Sequence, residues 1–374
     1  MGLELKEVTT GKGLDRFVKF PFSLYKKSDY WIPPMISDEK ETFSRKKNPA
    51  FDNCDCRLWI AEKEGKVVGR IAAIVHSIES ENKKLGRFGW IDFIDDHEVS
   101  KALIEKAEDW FRSQNLTGIH GPLGFTDLDF EGMLVEGFDE IGTIATIYNY
   151  DYYPKHLESM GFEKAADWVE MEATVPQEVP YRLKRKAEII EGRFKFKSLK
   201  FKSTKEMLPY GKDIFRVINE SYKGLYGYHE LTEKQINKYI KQYLSFIKPD
   251  FSSVIVNQEN SVIGFGITMP SLSRAFQKAR GRLFPFGFMH LLKALKRNSI
   301  ADFYLVGVLP EYHKMGIPFM IMRDIWPQLI KSGITKVYSN PALDDNHGVL
   351  NHWLEYEENH RVRKRRRCYI KKID

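Results

Sequence analysis

One order of elements can be read twice along this chain, and that repetition constrains its fold more than any other feature. In the first half, Leu3 to Val8 alternates like a strand, Leu14 to Lys26 has helical spacing, and Tyr30-Trp31-Ile32-Pro33-Pro34 breaks the pattern. The runs Arg57 to Lys63 and Val67 to His76 flank Glu64-Gly65-Lys66, a hairpin signal. Phe88 to Ile94 reads as a strand, Val99 to Ser113 as a helix with Leu103, Ala107 and Trp110 on one face, and Leu116 to Ile119 as a strand. After a glycine-rich stretch, Tyr152 to Met160 is a helix stopped by Gly161, and Phe162 to Thr174 is expected to form a strand pair.

The second half runs through the same plan. Its parts are a strand at Phe194 to Phe201, helices at Glu206 to Tyr222 and Glu233 to Ile247, and a hairpin of Ser252 to Asn257 with Val262 to Met269. Then come a strand at Phe303 to Val308, a helix at Pro318 to Lys331, a strand at Lys336 to Asn340, a helix at His347 to Glu358 and a closing strand at Arg365 to Ile370. An internal duplication is the simplest account. Single cores stop growing at about 250 to 300 residues, so 374 residues also imply two domains. The charged segment between the halves places the first domain at 1–175, a linker at 176–192 and the second domain at 193–374.

Composition narrows the function classes. No apolar run approaches the roughly 20 residues of a membrane helix, and the N-terminus lacks the pattern of a signal peptide, so a cytoplasmic protein is expected. Three cysteines, with Cys54 and Cys56 too close for a useful bridge and Cys368 alone, fit a reducing compartment. The ten histidines are scattered without metal-ligand spacing, so no metal is expected. The net charge of +7 favours acidic partners such as phosphates, nucleotides or anionic surfaces.

The sharpest local signal is Val306-Gly307-Val308-Leu309-Pro310-Glu311-Tyr312-His313-Lys314-Met315-Gly316-Ile317-Pro318, an apolar strand ending in a short glycine-containing loop that opens a helix. Such a loop aims backbone N–H groups and the positive helix end at an anion. The stretch resembles the acyl-CoA loop of the GNAT (acyl-CoA N-acyltransferase) superfamily, in which Val-x-Pro-x-Tyr runs into Arg/Gln-x-x-Gly-x-Gly/Ala. Val308, Pro310, Tyr312 and Gly316 match; His313 stands where Arg or Gln is usual, and Pro318 replaces the last small residue, removing one N–H donor.

The resemblance implies an α/β protein of two tandem GNAT-like folds with mixed sheets. Its acetyl-CoA or other acyl-CoA co-substrate would lie along Val308, Leu309, His313, Lys314, Met315, Gly316 and Ile317. The first half resembles an eroded copy, through Tyr152-Tyr153, Leu157-Glu158 and Gly161-Phe162. Its corresponding loop, Asp95 to Ser100, has three carboxylates and no glycine, which repels a pyrophosphate. The whole chain also resembles a bacterial group of tandem GNAT-like proteins, through Gly69 to Ile74, Gly121 to Phe125, Glu131 to Phe138 and Gly281 to Gly287.

The activity implied is transfer of an acyl group, acetyl first of all, from CoA to a small-molecule or peptide amine. That chemistry needs a base for the ammonium proton and an acid for the thiolate. Asp302 or Glu311 are the candidate bases and Tyr356 the candidate acid. In the loop Ser221 to Glu230, Tyr226, Tyr228, His229 and Glu230 either line an acceptor site or belong to a glycine-rich loop pinned by its tyrosines.

Two further segments stay open at this level. Arg361 to Arg367 reads as a nucleic-acid patch or as a closing strand with solvated arginines. The basic, aromatic insertion 271–299 lies on a membrane surface, covers an apolar acceptor or packs between domains. Two other functional classes are compatible with the same sequence. One is a non-catalytic scaffold; the other is a peptidyl transferase that uses aminoacyl-tRNA, bound through the positive charge.

Overall fold

A computed structural model describes residues 2–243, 247–346, 348 and 360–373. The chain opens with β1 (Glu4–Glu7), α1 (Gly11–Leu24) and α2 (Ile36–Thr42), then forms the hairpin β2 (Cys54–Lys63) and β3 (Lys66–His76). It continues through α3 (Ser77–Asn82), β4 (Leu85–Phe93), α4 (His97–Ser113), β5 (Gly118–Gly121), β6 (Met133–Glu136), α5 (Tyr152–Ser159), β7 (Glu163–Thr174) and α6 (Tyr181–Phe194). The order then recurs as β8 (Lys197–Leu199), α7 (Thr204–Met207), α8 (Gly211–Tyr222), α9 (Glu233–Gln242), β9 (Ser252–Val256), β10 (Val262–Pro270), α10 (Ser273–Ala279) and α11 (Gly287–Lys296). It closes with β11 (Ile300–Val308), α12 (Ile317–Lys331), β12 (Lys336–Ser339), β13 (Ala342–Leu343) and β14 (His360–Lys372).

These elements gather into two compact units. Unit 1 comprises Met1–Trp168, Ser273–His290 and Lys364–Asp374; unit 2 comprises Val169–Leu272 and Leu291–Arg363. In unit 1 the strand order is β1, β2, β3, β4, β5 and then the C-terminal part of β14, which aligns Tyr369 with Gly121. Only β4 and β5 run parallel, with Leu85 opposite Gly118. In unit 2 the order is β8, β9, β10, β11, β12 and then the last residues of β7, which align Ala173 with Val337. There the parallel pair is β11 and β12. Each sheet is therefore closed by a strand that lies at the end of the other chain half.

Local chemistry explains the elements. Glu64 and Gly65 both have positive φ, 51° and 74°, the twist that a two-residue hairpin needs. Asp96 caps α4 by accepting from the Glu98 N–H at 2.9 Å. The α4 stripe Val99, Leu103 and Ala107 is fully buried, packing with Trp59, Ile71 and Phe93 of the sheet. On the other face of the same sheet, Phe17 and Val18 of α1 pack on Leu58, Ile60 and Ala72.

Several expected elements differ in detail. Phe162 to Thr174 is one strand, β7, rather than a pair. The helix expected at Glu206 to Tyr222 is broken by the 3-10 turn Leu208–Tyr210, where Pro209 has no N–H to donate. The strand expected from Phe194 shortens to Lys197–Leu199, because α6 continues to Phe194 and ends at Lys195 in the left-handed region. Of the helix expected at 347–358, only Gly348 lies among the described residues.

Each unit carries a bulge at the same place in its plan. In unit 1, Arg70 faces Asp92 while Ala72 faces Gly89, so β4 holds an extra residue there and Trp90 takes a φ of 42°. In unit 2, Ile267 faces Leu305 while Thr268 faces Phe303, which leaves Tyr304 as the extra residue in β11. A bulge re-aims the side chains beside it.

Candidate functional site

In unit 2, β11 delivers the glycine loop. Pro310–Met315 winds into a 3-10 turn, Gly316 takes a φ of 76°, and α12 starts at Ile317. His313 donates from Nε2 to the Val308 carbonyl at 2.9 Å, so this ring ties the loop to its own strand. Glu311, His313 and Lys314 are exposed, Met315 is half-buried, and Leu309 and Ile317 are buried. The space facing Gly316 is occupied by α6: a Cβ on Gly316 would lie 2.6 Å from Ile190 Cδ1. The same helix places Lys186 Nζ 4.4 Å from the Phe319 ring centroid and pairs Glu191 with Arg323 at 2.7 Å.

Of the acceptor-site candidates in unit 2, Tyr228 is buried and donates to Asn219 Oδ1 at 2.6 Å, while Asn219 also binds both backbone groups of Leu231. Tyr228 thus pins its own loop. Tyr226 and His229 are half-buried and Glu230 is exposed. Asp302 is fully buried in β11, beside the bulge, and burial pushes its carboxyl up to about 7 against the opposing pull of Ser271 and Arg363. Arg363 lies 3.7 Å from Glu170 and its guanidinium sits 3.7 Å over the Tyr338 ring. Asp302 and Glu311 are not brought together by a hydrogen bond or ion pair, and Tyr356 lies outside the described residues.

Unit 1 contains a small cavity of about 60 Å³. Its walls include Trp31, Ile32, Ile144, Ile147, Tyr148 and Phe276. Its polar floor is made by Glu39 of α2, Arg70 of β3, Asp92 beside the β4 bulge and Tyr153 of α5. Arg70 Nε donates to Asp92 Oδ2 at 2.7 Å and Nη1 to the Phe17 carbonyl at 3.1 Å. Tyr25 donates to Asp92 Oδ1 at 2.7 Å and lies 2.8 Å from the Tyr153 hydroxyl, which accepts from the Phe93 N–H at 3.1 Å.

Glu39 is held less closely than Asp92. Its carboxylate accepts from the Trp90 indole at 3.3 Å and stands 4.0 Å from Arg70. Burial therefore dominates and pushes its carboxyl up to about 7, with Arg70 and Trp90 opposing and Asp129 and Asp92 assisting. Burial likewise raises the Tyr153 phenol well above its usual range, which keeps it protonated at neutral pH. One cavity thus holds a carboxyl able to take a proton near neutrality beside a phenol that stays protonated.

Sequence reading missed this cluster. Arg70 and Asp92 are charges inside otherwise apolar strand runs, a signal that the sequence does display, because charged residues are almost never fully buried unless paired. Glu39 carried no such signal. The first-half counterpart of the glycine loop is closed on itself: Asp96 caps α4 and pairs with Lys63 at 2.7 Å, and Lys63 also meets Glu98 at 2.7 Å.

The basic run 361–367 is a strand in which Arg361, Arg363, Arg365 and Arg367 each stand beside a carboxylate. Arg361 pairs with Glu172 at 3.0 Å in unit 2, and Arg367 pairs with Asp167 at 2.8 Å in unit 1. Arg363, Lys364 and Arg366 are buried, so the expectation of solvated arginines holds for part of the run only. Among the described residues no group of three or more His, Cys, Asp or Glu is arranged to hold a metal ion. Nor is any helix among them long and apolar enough to cross a membrane.

The doubled plan, the parallel strand pair in each unit and the paired bulges define the class: this is a tandem GNAT-fold protein. Over its whole length it matches a tandem GNAT protein from the clavulanic acid biosynthesis pathway, with a TM-score of 0.57 at 11% identity, covering 99% of this chain and 98% of that one. A GCN5-related N-acetyltransferase from Sphaerobacter thermophilus matches with a TM-score of 0.53 at 8% identity, covering 99% and 95%. The chain belongs to the family of Protein YghO of Escherichia coli K12, to which it is 30% identical over 348 residues, 90% of this chain and 88% of that protein. It is 27% identical over 361 residues to a bacterial ceramide synthase of Caulobacter vibrioides, covering 92% and 91%. No family model matches the chain.

Proposed function

We propose that this protein transfers an acyl group from acyl-CoA to an amine carried on an apolar body, with Glu39 as the proton acceptor. The observation that carries the reading is the unit 1 cavity, where a carboxyl pushed up to about 7 and a protonated phenol lie under apolar walls. In the reaction, the acceptor ammonium gives a proton to the Glu39 carboxylate and the freed nitrogen attacks the thioester carbonyl. The C–S bond then breaks: the departing thiolate takes the proton of Tyr153 while the second proton of the attacking nitrogen passes to the Tyr153 oxygen, so the phenol is regenerated and the amide leaves neutral. The name of the Caulobacter relative supports the reaction type, since a ceramide is an amide of an acyl chain and an amine.

The loop Val308 to Ile317, which resembles an acyl-CoA loop, lies in unit 2 together with Asp302, so a donor held there would react in unit 2. Asp302 is a second proton acceptor to test, because it too is buried with its carboxyl pushed up to about 7, although it does not line the unit 1 cavity.

The test combines calorimetric titration of acyl-CoAs from acetyl to long chain with mass-spectrometric detection of amide products from an amine panel. Glu39→Gln and Asp302→Asn are run in parallel. Removing a general base is expected to lower kcat by about 10²- to 10⁴-fold in Glu39→Gln while leaving acyl-CoA binding intact. Full activity in Glu39→Gln with loss in Asp302→Asn would move the chemistry to unit 2. Absence of any acyl-CoA binding by the wild-type protein would end the transferase reading.

A further inference from the structure

The insertion 271–299 contains seven cations, Arg274, Lys278, Arg280, Arg282, Lys293, Lys296 and Arg297, and no carboxylate. All seven are exposed. Beside the four cations of unit 1, Arg274, Lys278, Arg280 and Arg282, lies an apolar tip that the fold leaves in solvent: Phe284 is 77% exposed, Phe286 69% and Met289 56%. Large apolar side chains grouped on a surface mark an interaction site.

The tip is built and held in shape. The Phe288 N–H donates to the Leu283 carbonyl at 2.8 Å and the Met289 N–H to Phe286 at 3.1 Å, closing the turn that displays Phe284 and Phe286. Only glycine fits at 287, where a Cβ would lie 1.9 Å from the Arg282 carbonyl oxygen. The Phe284 and Phe288 rings meet at 5.9 Å. Within unit 1 the base of the insertion is tied down by Gln277 Nε2 donating to the Asp29 and Trp31 carbonyls at 2.9 and 3.1 Å, and by the Ile36 N–H donating to the Gly281 carbonyl at 3.0 Å. A preformed tip loses little conformational entropy on docking.

We propose that this tip docks on an anionic lipid bilayer, with Phe284, Phe286 and Met289 entering the interfacial layer and Arg274, Lys278, Arg280 and Arg282 meeting lipid phosphates. Charge selects the occupant. A second copy of the same face would bring four cations against four, which is repulsive. A nucleic acid backbone would satisfy the cations but leave the apolar Met289 in water. A bilayer with anionic headgroups satisfies both, as it does for amphipathic surface segments generally. The proposal stands on the insertion and not on the reaction assigned above, so either can fail without the other.

Full-length protein is sedimented with sonicated vesicles of phosphatidylcholine with and without phosphatidylglycerol, at low and high salt. Binding is expected only with phosphatidylglycerol and is expected to weaken as salt rises. Phe284→Ser/Phe286→Ser and, separately, Lys278→Glu/Arg282→Glu should each lower the partition coefficient about tenfold or more. Thermal unfolding checks that both variants keep the wild-type fold, as changes at exposed positions should. Absence of vesicle binding, or binding that neither pair of substitutions weakens, overturns the proposal. So does a concentration-dependent dimer in gel filtration that Phe284→Ser/Phe286→Ser abolishes, because the tip would then be an interface between copies.

Discussion

Glu39, the proton acceptor proposed above, carries a cost to the fold. Its folded pKa, pushed by burial to about 7, lies above the ordinary 4.5. Below the ordinary value the group is protonated in both folded and unfolded chains and contributes no pH dependence. As pH rises through the interval from 4.5 to 7, the unfolded chain ionises first and folding stability falls, by up to about 3 kcal/mol once pH exceeds the folded value. Glu39→Gln removes this penalty. Urea unfolding at pH 5 and pH 8 should find the variant more stable than wild type at pH 8, with much of the difference gone at pH 5. A more stable protein with lost turnover would separate a proton-accepting role from a structural one, because a structural group would lose both together.

At the scale of elements, the contact between α6 and the start of α12 governs the glycine loop. Gly316 has the left-handed φ that opens α12, and Ile190 fills the space where a side chain would go. Gly316→Ala is therefore expected to cost about 1 to 3 kcal/mol, from a strained φ and an overlap with Ile190. Adding Ile190→Ala should recover part of that cost by relieving the overlap, which chemical denaturation of the single and double variants measures as a coupling. The sequence shows Gly316 as a glycine in a strand-to-helix loop, but Ile190 lies in the segment read as linker. Nothing in local spacing says that a helix from that segment returns to cover the loop. The bulges are similar: the alternation of β4 and β11 is visible in sequence, whereas the extra residue in each strand is defined only by its partner's register.

At the scale of the whole molecule, the closing strands matter most. Residues 364–372 of β14 complete the sheet of unit 1, where Tyr369 and Cys368 are buried, Arg366 donates to the Gly132 carbonyl at 3.4 Å, and Arg367 holds Asp167 at 2.8 and 3.0 Å. A chain ending at Arg363 leaves β5 with an unpaired edge and uncovers the core beside Tyr153 and Phe162. Limited proteolysis of that truncated protein should cut within unit 1 at concentrations of protease that leave the full chain intact. Resistance equal to wild type would show that β14 is dispensable to unit 1.

The sequence by itself determined the period of each element, the doubled plan and the GNAT-like class, because amphipathic spacing, hairpin turns and a glycine loop are local properties of the chain. Long-range pairing decided the rest. Asp92 and Arg70 become a buried pair only when β3 and β4 adopt their register, and Glu39 reaches the cavity only because α2 packs over that sheet. The charges of Arg363 and Arg366 are tolerated inside the protein only because strand register sets them against Glu170 in one unit and backbone carbonyls in the other. Burial and electrostatic pairing depend on distances between residues far apart in sequence, and those distances exist only once the tertiary structure has formed.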